Sequence, residues 1–451
     1  MAKIGLEIHA YLNTKEKLFC SCLATRHKEQ VNNHICPICT GQPGCKPMLA
    51  NEEAIKKILS IALMLNCEIN NNLIWQRKHY NWPDLPKGYQ TTMSGAHSIP
   101  TGEEGNFHGI KIKEIHLEED PASWDPETGC IDYNRSGLPL AEIVTQPDFS
   151  SAEEVEEWLK KFLLTMSYIK AIDKNAGIKA DVNISTGSFE YGKKVEVKNI
   201  SSIESVKKTI EYEIKRQEKE GVLNETRRFN PSSGKTEKMR NKESQADYRF
   251  IPDPDLPIVK IKKEEVEKIK KELPETPEEK LSKLIKKHKI DKKQAEILKN
   301  NFELVEFFEE IIKKMPADFA LPWVTGELLR VLNYNKKNLG EVNIEVEHFI
   351  ELLEAVKSNK LTELKAKSIL NDFVPKSFSI KSQLKSNERI TDKAELTKII
   401  EKVIKVNSKA VSDYKAGEKA SFNFLMGEVM KESNRRADFQ VAKEVLEKLL
   451  K

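Results

Sequence analysis

This chain of 451 residues contains no long uninterrupted run of apolar residues. A helix that crosses a bilayer needs about 20 of them in succession, so the sequence predicts no membrane span. The chain also begins without the apolar core of a secretory signal, which makes the cytosol the expected compartment. Its net charge is only +4 although 32% of its residues are charged, which argues against a generally basic protein that coats nucleic acid.

The common signatures of nucleotide-binding and hydrolytic enzymes are missing too. There is no dinucleotide fingerprint, no Ser-His-Asp order and no amidase-like run of Gly and Ser. The segment 187–194 resembles a phosphate-binding loop, but it lacks the Ser or Thr that would hold Mg²⁺. It also lies between two predicted strands, where no helix N-terminus faces a phosphate, so we predict a hairpin turn. Any nucleotide is therefore expected to bind without these motifs.

Cysteine is scarce, but its arrangement is the most informative local pattern. Four of the seven cysteines form the pairs Cys20-x-Cys22 and Cys36-x-x-Cys39. Two tight turns that carry four thiolates match the tetrahedral coordination of zinc, and such a site is structural because it has no open position. The odd number of cysteines and the expected compartment argue against a disulfide framework. The other three are expected to be buried free thiols: Cys45, Cys67 and Cys130.

Changes in composition predict three domains. Most of the glycine and the Trp-Pro and Asn-Pro turns lie in the first 260 or so residues. After Pro257 glycine becomes rare, Lys and Glu dominate, and apolar residues adopt helical spacing. The stretch 376–387 is polar and has too few apolar residues for a core. We therefore predict domains at 1–260, 261–375 and 376–451, the last one including this linker.

Short strands separated by single helices are predicted for the first domain. Alternation of apolar and polar residues predicts strands at Ile4–Ala10, Ile110–Leu117, Ala141–Thr145, Lys179–Ser185 and Lys194–Lys198. Capping residues and apolar spacing predict helices after Asn51, after Ser151 and between Ile203 and Gly221. The expected fold class is α+β with a mainly antiparallel sheet, followed by helical domains.

The predicted strands share an uncommon polar face. A solvated face is usually rich in Lys, Thr and Ser, whereas here acids, His and Asn prevail with a few Lys. Such side chains bind Mg²⁺ and neutralise phosphate oxygens. They are Glu7, His9, His116, Glu118, Glu142, Lys179, Asp181, Asn183, Glu196 and Lys198. The wet face of a one-sided sheet is the simpler explanation for any single strand, but it weakens for five strands together.

Basic and aromatic residues are mixed in two further places, which suits contact with RNA backbone and bases. The residues are those of 75–82, with Trp75, Tyr80 and Trp82, and the group Arg227, Arg228, Arg240 and Lys242. Each alone is more often ordinary surface. The basic residues near the end of the chain are equally compatible with a solvated helix face: Lys415, Lys419, Lys431, Arg435 and Arg436.

A series of motifs, in one order along the whole chain, resembles a known family. They include Ile4-Gly-Leu-Glu-Ile-His9, Lys17-Leu-Phe-Cys20, Cys36-Pro-Ile-Cys39, Asp84-Leu-Pro-Lys-Gly-Tyr89-Gln90, Ile115-His-Leu-Glu-Glu-Asp120, Asp132-Tyr-Asn-Arg-Ser-Gly137, Glu142-Ile-Val-Thr145, Lys179-Ala-Asp-Val-Asn-Ile-Ser185, Val195-Glu-Val-Lys-Asn199 and Asp247-Tyr-Arg-Phe-Ile-Pro252. The chain resembles the B subunit of the aspartyl/glutamyl-tRNA(Asn/Gln) amidotransferase, the GatB family. It departs from the usual motifs at Pro121-Ala-Ser123, Gln146 and Lys179. The related archaeal E subunit carries an inserted domain for which this chain has no room.

The resemblance implies a catalytic cradle with a glutamine-synthetase-like active site, a helical domain and a YqeY-like tail that binds tRNA. It implies a ligase subunit that binds misacylated Glu-tRNA(Gln), Asp-tRNA(Asn) or both and phosphorylates the side-chain carboxylate with ATP and Mg²⁺. Ammonia from a separate amidase, the glutaminase of the complex, then displaces phosphate. A small third subunit, known as GatC, completes the complex.

The resemblance also implies roles for individual residues. The catalytic residues are Glu7, His9, Glu118 and Glu142, which are the candidate magnesium ligands, together with Lys198, which would balance phosphate charge. The implied cofactor-binding residues are Asp181, Asn183 and Glu196. The zinc ligands are Cys20, Cys22, Cys36 and Cys39.

Two other functions fit part of the sequence. A non-catalytic, zinc-stapled subunit that binds tRNA or acts as a scaffold needs the cysteines and the helical tail, but not the acidic strand faces. Glu7, His9 and Glu142 therefore discriminate between the catalytic and the scaffold hypotheses. A free-standing kinase is the weaker alternative, because the sequence has no recognisable nucleotide motif.

Overall fold

The computed structural model describes residues 2–25, 30–173, 177–186, 193–221, 224–241 and 248–450, without the side chains of 240 and 241. It divides into two compact units, Met1–Thr276 and Pro277–Lys451. The first unit combines strands with helices and the second is helical, so the predicted fold class is confirmed. None of the described helices is both long and apolar enough to cross a membrane.

Strands dominate the first unit. In chain order they are β1 (Lys3–Tyr11), β2 (Glu68–Ile69), β3 (Asn72–Leu73), β4 (Gln76–His79), β5 (Tyr89–Thr92), β6 (Gly102–Phe107), β7 (Ile110–Glu119), β8 (Ser123–Trp124), β9 (Ile131–Asp132), β10 (Pro139–Thr145), β11 (Ile178–Ser185), β12 (Val195–Ile200), β13 (Glu225–Asn230), β14 (Lys235–Asn241), β15 (Arg249–Pro252) and β16 (Val259–Lys260). The five strands predicted from the sequence correspond to β1, β7, β10, β11 and β12, with nearly the same bounds.

One 12-stranded sheet organises this unit, in the order β14-β13-β12-β11-β1-β10-β7-β5-β4-β15, with β6 also pairing with β7 and β2 with β6. Strands β12 and β13 pair in parallel, whereas β1 runs antiparallel to both of its neighbours. His9 lies opposite Glu142 on β10, and Glu7 lies opposite Asp181 on β11. Because side chains alternate along a strand, these four residues project from the same face of the sheet.

Helices cover the other face of the sheet. They are α1 (Glu52–Met64), α2 (Ala152–Tyr168) and α3 (Ile203–Glu220), followed by α4 (Lys263–Glu272). Their apolar residues share one core with Leu6 and Ile8 of β1, which are 1% and 0% exposed. Truncating Ile8 to alanine would cost roughly 2–5 kcal/mol of stability. The core thus anchors β1 from behind and leaves the face with Glu7 and His9 open.

The second unit is built from helices around two apolar cores, one within 284–380 and one within 390–450. The helices are α5 (Pro277–His288), α6 (Lys292–Lys299), α7 (Phe302–Ile311), α8 (Ala317–Pro322), α9 (Leu329–Tyr334), α10 (Val346–Lys357), α11 (Glu363–Asn371), α12 (Leu384–Asn387), α13 (Lys393–Val406), α14 (Ser408–Lys415), α15 (Lys419–Glu432) and α16 (Phe439–Leu450). A π-helical segment, Trp323–Leu328, joins α8 to α9 directly after Pro322.

The stretch 376–387, interpreted above as a polar linker, contributes to the first of these two cores. Ile380 is 2% exposed within that core, and Ser377 Oγ accepts a hydrogen bond of 2.9 Å from the Glu345 backbone. A single well-placed isoleucine is enough for this packing, which the low apolar content of the stretch did not indicate. The division into three domains stays a prediction.

Candidate active site and metal sites

Three of the four residues expected to hold magnesium converge on the open face of the sheet. His9 on β1, Glu118 on β7 and Glu142 on β10 place ligand atoms within 4.8 Å of one another. The Nε2 atom of His9 lies 3.3 Å from Glu142 Oε2 and 3.9 Å from Glu118 Oε1. Two carboxylates beside an imidazole suit a divalent cation. We call these three residues the first acidic group.

Burial and mutual charge perturb each member of the first acidic group. Burial alone would lower the pKa of His9, but the hydrogen bond and charge of Glu142, with Glu118, raise it to about 10. Burial and the charge of Glu142 raise the pKa of Glu118 to about 6. Burial opposes ionisation of Glu142 as well, yet His116 and His9 hold its pKa well below the usual range. Opposite shifts at one place are typical of functional sites.

His116 is a residue that the sequence-based assignment of roles left out. Its side chain is fully buried, and its Nε2 lies 3.4 Å from Glu142 Oε2 while its Nδ1 lies 3.5 Å from Glu114 Oε1. Neither ring nitrogen has a well-aligned hydrogen bond among the described residues. His116 stands opposite Glu142 in the β7–β10 register. The same alternation that placed Glu118 on the polar face therefore also indicated His116.

Glu7 belongs to a second acidic group, which we define as Glu7, Asp181 and Glu196. Their carboxylate oxygens lie within 4.8 Å of one another. Asn183 Nδ2 donates a hydrogen bond of 2.9 Å to Glu7 Oε1. Lys198 Nζ lies 3.2 Å from Asp181 Oδ2 and 3.1 Å from Glu196 Oε1. Glu7 is thus brought together with Lys198 and the expected cofactor-binding residues rather than with the other three magnesium candidates.

The geometry of β1 explains this separation. Glu7 and His9 share a face, but two residues of a strand span roughly 7 Å. His9 faces Glu142 on β10, whereas Glu7 faces Asp181 on β11, so each turns to a different neighbour. Burial and then the neighbouring carboxylates raise the pKa of Glu7. A cation bound at the second acidic group would relieve this repulsion.

A cavity of about 630 Å³ opens beside the second acidic group. Gly5, Glu7 and Asn183 form part of its wall. Four lysines also line it: Lys3, Lys113, Lys193 and Lys194. Lysines around a cavity that ends at cation-binding carboxylates suit the phosphates of a nucleotide. We call this space the lysine-lined cavity.

The four cysteines of the expected zinc site come together in space, with their sulfur atoms within 4.8 Å of one another. Cys20 and Cys39 are buried, and Cys22 and Cys36 are half-buried. The Cys36 backbone N–H donates to Cys39 Sγ at 3.2 Å. The pKa of Cys39 is lowered to about 5, chiefly by a hydrogen bond from Cys20 and also by the charge of Lys17. Four sulfur atoms in this arrangement fit one tetrahedral metal ion.

The remaining cysteines differ from the expectation that all three are buried. Cys67 is buried, which raises the pKa of its thiol to about 12. Cys45 and Cys130 are exposed. Both lie outside the strands and helices, where no neighbouring element covers them.

The basic and aromatic stretch 75–82 is only partly available for RNA. Trp75 is 2% exposed and belongs to the core of the first unit. Trp82 is 50% exposed, and its ring centre lies 5.7 Å from that of Trp124. The Lys78 ammonium lies 4.8 Å from the centre of the Tyr248 ring. The exposed aromatic surface is therefore the Trp82 end of this stretch.

The second basic group is divided between structural and exposed residues. Arg227 is half-buried and its Nη1 lies 2.9 Å from Glu225 Oε1. Arg228 is exposed and paired with a carboxylate on the neighbouring strand. Lys242, the side chain of Arg240 and most of the predicted hairpin, 187–192, lie outside the described residues.

Comparison with known proteins identifies the family. The family model of the GatB/GatE catalytic domain matches residues 2–267, and that of the GatB domain matches residues 306–450. The chain is 40% identical over 461 residues to the B subunit of aspartyl/glutamyl-tRNA(Asn/Gln) amidotransferase from Methanopyrus kandleri, and the match covers 99% of this chain and 98% of that protein. The protein of the same name from Methanocaldococcus jannaschii is 41% identical over 468 residues, with coverage of 99% and 98%. The chain therefore belongs to the GatB family, as its motifs predicted.

Proposed function

We propose that the chain is the tRNA-binding and kinase subunit of a tRNA-dependent amidotransferase, a glutamine-hydrolysing ligase of protein biosynthesis. It binds Glu-tRNA(Gln), Asp-tRNA(Asn) or both, and works with the amidase (glutaminase) subunit and the small GatC subunit in a heterotrimer. The observation that carries the proposal is the pair of acidic groups on one face of the sheet, next to the lysine-lined cavity.

The chemistry follows from the substrate. A carboxylate is a poor electrophile, so one of its oxygens first attacks the γ-phosphorus of ATP, and ADP leaves. Ammonia then attacks the carbonyl carbon, phosphate leaves, and the nitrogen loses a proton. Phosphoryl transfer depends on positive charge around the phosphoryl oxygens more than on a covalent nucleophile. Magnesium supplies that charge when it is bound, and both acidic groups offer carboxylates that would hold it.

The two acidic groups take different parts in this proposal. The nucleotide occupies the lysine-lined cavity with its phosphates directed to the second acidic group, where Lys198 balances their charge. The first acidic group faces the carboxylate that receives the phosphoryl group. Glu118, with a pKa raised to about 6, is ionised at neutral pH and is the candidate acceptor for the proton that the nitrogen loses.

Reconstitution tests the proposal directly. The purified chain, combined with the amidase subunit, glutamine and ATP, should convert Glu-tRNA(Gln) to Gln-tRNA(Gln) or Asp-tRNA(Asn) to Asn-tRNA(Asn). Omission of the chain should abolish ATP hydrolysis that depends on misacylated tRNA. If the amidase performs that hydrolysis without this chain, the kinase role is wrong and the scaffold hypothesis takes its place.

Zinc should be present in protein that is prepared without added metal, at about one ion per chain, because the four cysteines place their sulfur atoms within 4.8 Å of one another. Elemental analysis of the purified chain measures it. The zinc site is absent if the folded chain contains no zinc while all four thiols react freely.

Metal binding at the first acidic group should release protons. The raised pKa of His9 leaves its imidazole protonated at pH 7.5 in the metal-free chain, so a bound cation must displace that proton. We expect about one proton per Mn²⁺ ion, measured by titration calorimetry in buffers of different ionisation enthalpy. His9→Gln is the comparison variant and should release none. Equal proton release by both proteins would exclude His9 as a ligand.

The tail offers a prediction with opposite effects on stability and on binding. Asn434 and Arg435 follow α15 with φ values of 51° and 62°, a conformation that costs non-glycine residues roughly 1–2 kcal/mol. Arg435→Gly should therefore raise the melting temperature. If Arg435 contacts a tRNA phosphate, the same change should weaken binding of charged tRNA and reduce the slope of log affinity against log salt by about one.

Asn434→Gly is the matched control, because it relieves the same kind of strain but removes no charge. It should raise the melting temperature and leave tRNA affinity unchanged. Filter binding or fluorescence anisotropy at several salt concentrations separates the two variants. Unchanged tRNA affinity in Arg435→Gly would remove this arginine from the tRNA contacts.

A further inference from the structure

The side chain of Lys17 is buried next to the four cysteines. The residue is 1% exposed, and its ammonium nitrogen donates hydrogen bonds to the backbone carbonyls of His34 at 2.9 Å and Tyr133 at 3.1 Å. The same nitrogen lies 3.5 Å from Cys39 Sγ. No carboxylate pairs with Lys17 within the described part of the chain.

A buried ammonium group needs a compensating charge. Removing an unpaired ion from water costs several kcal/mol, and neutral carbonyl oxygens satisfy its hydrogen bonds without balancing its charge. The sulfur of Cys39 is the remaining neighbour. Four thiols are neutral, whereas four thiolates around one zinc ion carry a net negative charge. The burial of Lys17 is thus explained when the four cysteines hold a metal.

We propose that Lys17 is the counter-ion of the zinc-bound tetrathiolate and fixes the zinc loop against the connection between β7 and β10. This inference rests on the zinc site proposed above and adds a residue that is not itself a metal ligand. Lys17 is a positioning residue in this scheme, because it acts on the metal through Cys39. Partners of this kind orient metal ligands and raise metal affinity.

The connection that Lys17 touches leads directly into the candidate active site. Ser136 Oγ donates a hydrogen bond of 2.7 Å to the Cys39 carbonyl. Gly137 has a φ of 82°, and a Cβ at this position would lie 3.7 Å from both Cys39 Cβ and Lys17 Cδ. Two residues later β10 begins, the strand that carries Glu142. The zinc loop and the first acidic group are therefore joined by a short ordered path.

Zinc affinity is the direct test. Lys17→Met keeps most of the apolar volume of the side chain and removes the charge. We expect this variant to lose zinc to a chelator at about 10–100-fold lower chelator concentration than the unaltered chain. Lys15→Met removes a charge from an exposed position two residues earlier and should behave like the unaltered chain. Unchanged zinc affinity in folded Lys17→Met overturns the inference.

A second measurement uses the unaltered chain and does not depend on how the variant folds. Amine acylation followed by peptide mass analysis should find Lys17 protected while zinc is bound. Removal of zinc by a chelator should increase its acylation severalfold more than that of Lys15. Equal protection of Lys17 before and after zinc removal, in a chain that stays folded, overturns the inference. A purified chain that contains no zinc contradicts the zinc site as well, so the two failures are distinguishable.

Discussion

Replacing Glu142 with glutamine should lower ATP hydrolysis that depends on misacylated tRNA by about a hundredfold or more. Glutamine has the shape of glutamate, but it carries no charge between His9 and His116, which lie 3.3 and 3.4 Å from Glu142 Oε2. The first acidic group would then lose its central anion and its affinity for a cation. Ammonium chloride serves as the nitrogen donor in this assay, so the glutaminase step is bypassed.

The control for this prediction is Glu103→Gln, which removes a carboxylate from the same sheet outside both acidic groups. Glu103 is exposed on β6, where its Oε2 accepts a hydrogen bond of 3.0 Å from Asn70. This variant should retain the activity of the unaltered chain. A folded Glu142→Gln protein with near-normal activity would remove Glu142 from the site and favour the scaffold hypothesis.

Local patterns predicted those features of the site that depend on neighbours in sequence. The alternation in β1 placed Glu7 and His9 on one face, and the structure has that strand at Lys3–Tyr11. The spacing of the four cysteines placed them on two adjacent turns, and their sulfur atoms do meet. In both cases a few consecutive residues determine the geometry, so the sequence alone was sufficient.

Long-range pairing decided what the sequence could not. Glu7 turns to Asp181 because β11 pairs with β1 on that side, and nothing within β1 indicates which distant strand does so. Lys17 is a similar case, because its burial depends on Tyr133, which is far away in sequence. Register and burial of this kind arise only when the whole sheet is assembled. They explain why the predicted cluster of four magnesium ligands is divided between two groups.

Asp181→Asn should reduce phosphoryl transfer by about a hundredfold and weaken nucleotide binding as well, which sets it apart from Glu142→Gln. Asp181 is 5% exposed, accepts a hydrogen bond of 2.7 Å from the Asn199 backbone, and lies 3.2 Å from Lys198 Nζ. An asparagine oxygen can still accept from Asn199, so the fold should be retained. What is lost is the negative charge that would help to hold magnesium at the nucleotide phosphates.

Binding of a non-hydrolysable ATP analogue with magnesium separates the two acidic groups. If the nucleotide lies in the lysine-lined cavity, Asp181→Asn should bind the analogue at least about tenfold more weakly, because one carboxylate of the adjacent group has lost its charge. Glu142→Gln should bind it like the unaltered chain, because its carboxylate belongs to the other group. Affinity for charged tRNA should be unchanged in Asp181→Asn, since the proposed tail contacts lie in the other unit of the chain. Equal analogue affinity in both variants would place the nucleotide elsewhere and leave the second acidic group without the role assigned to it.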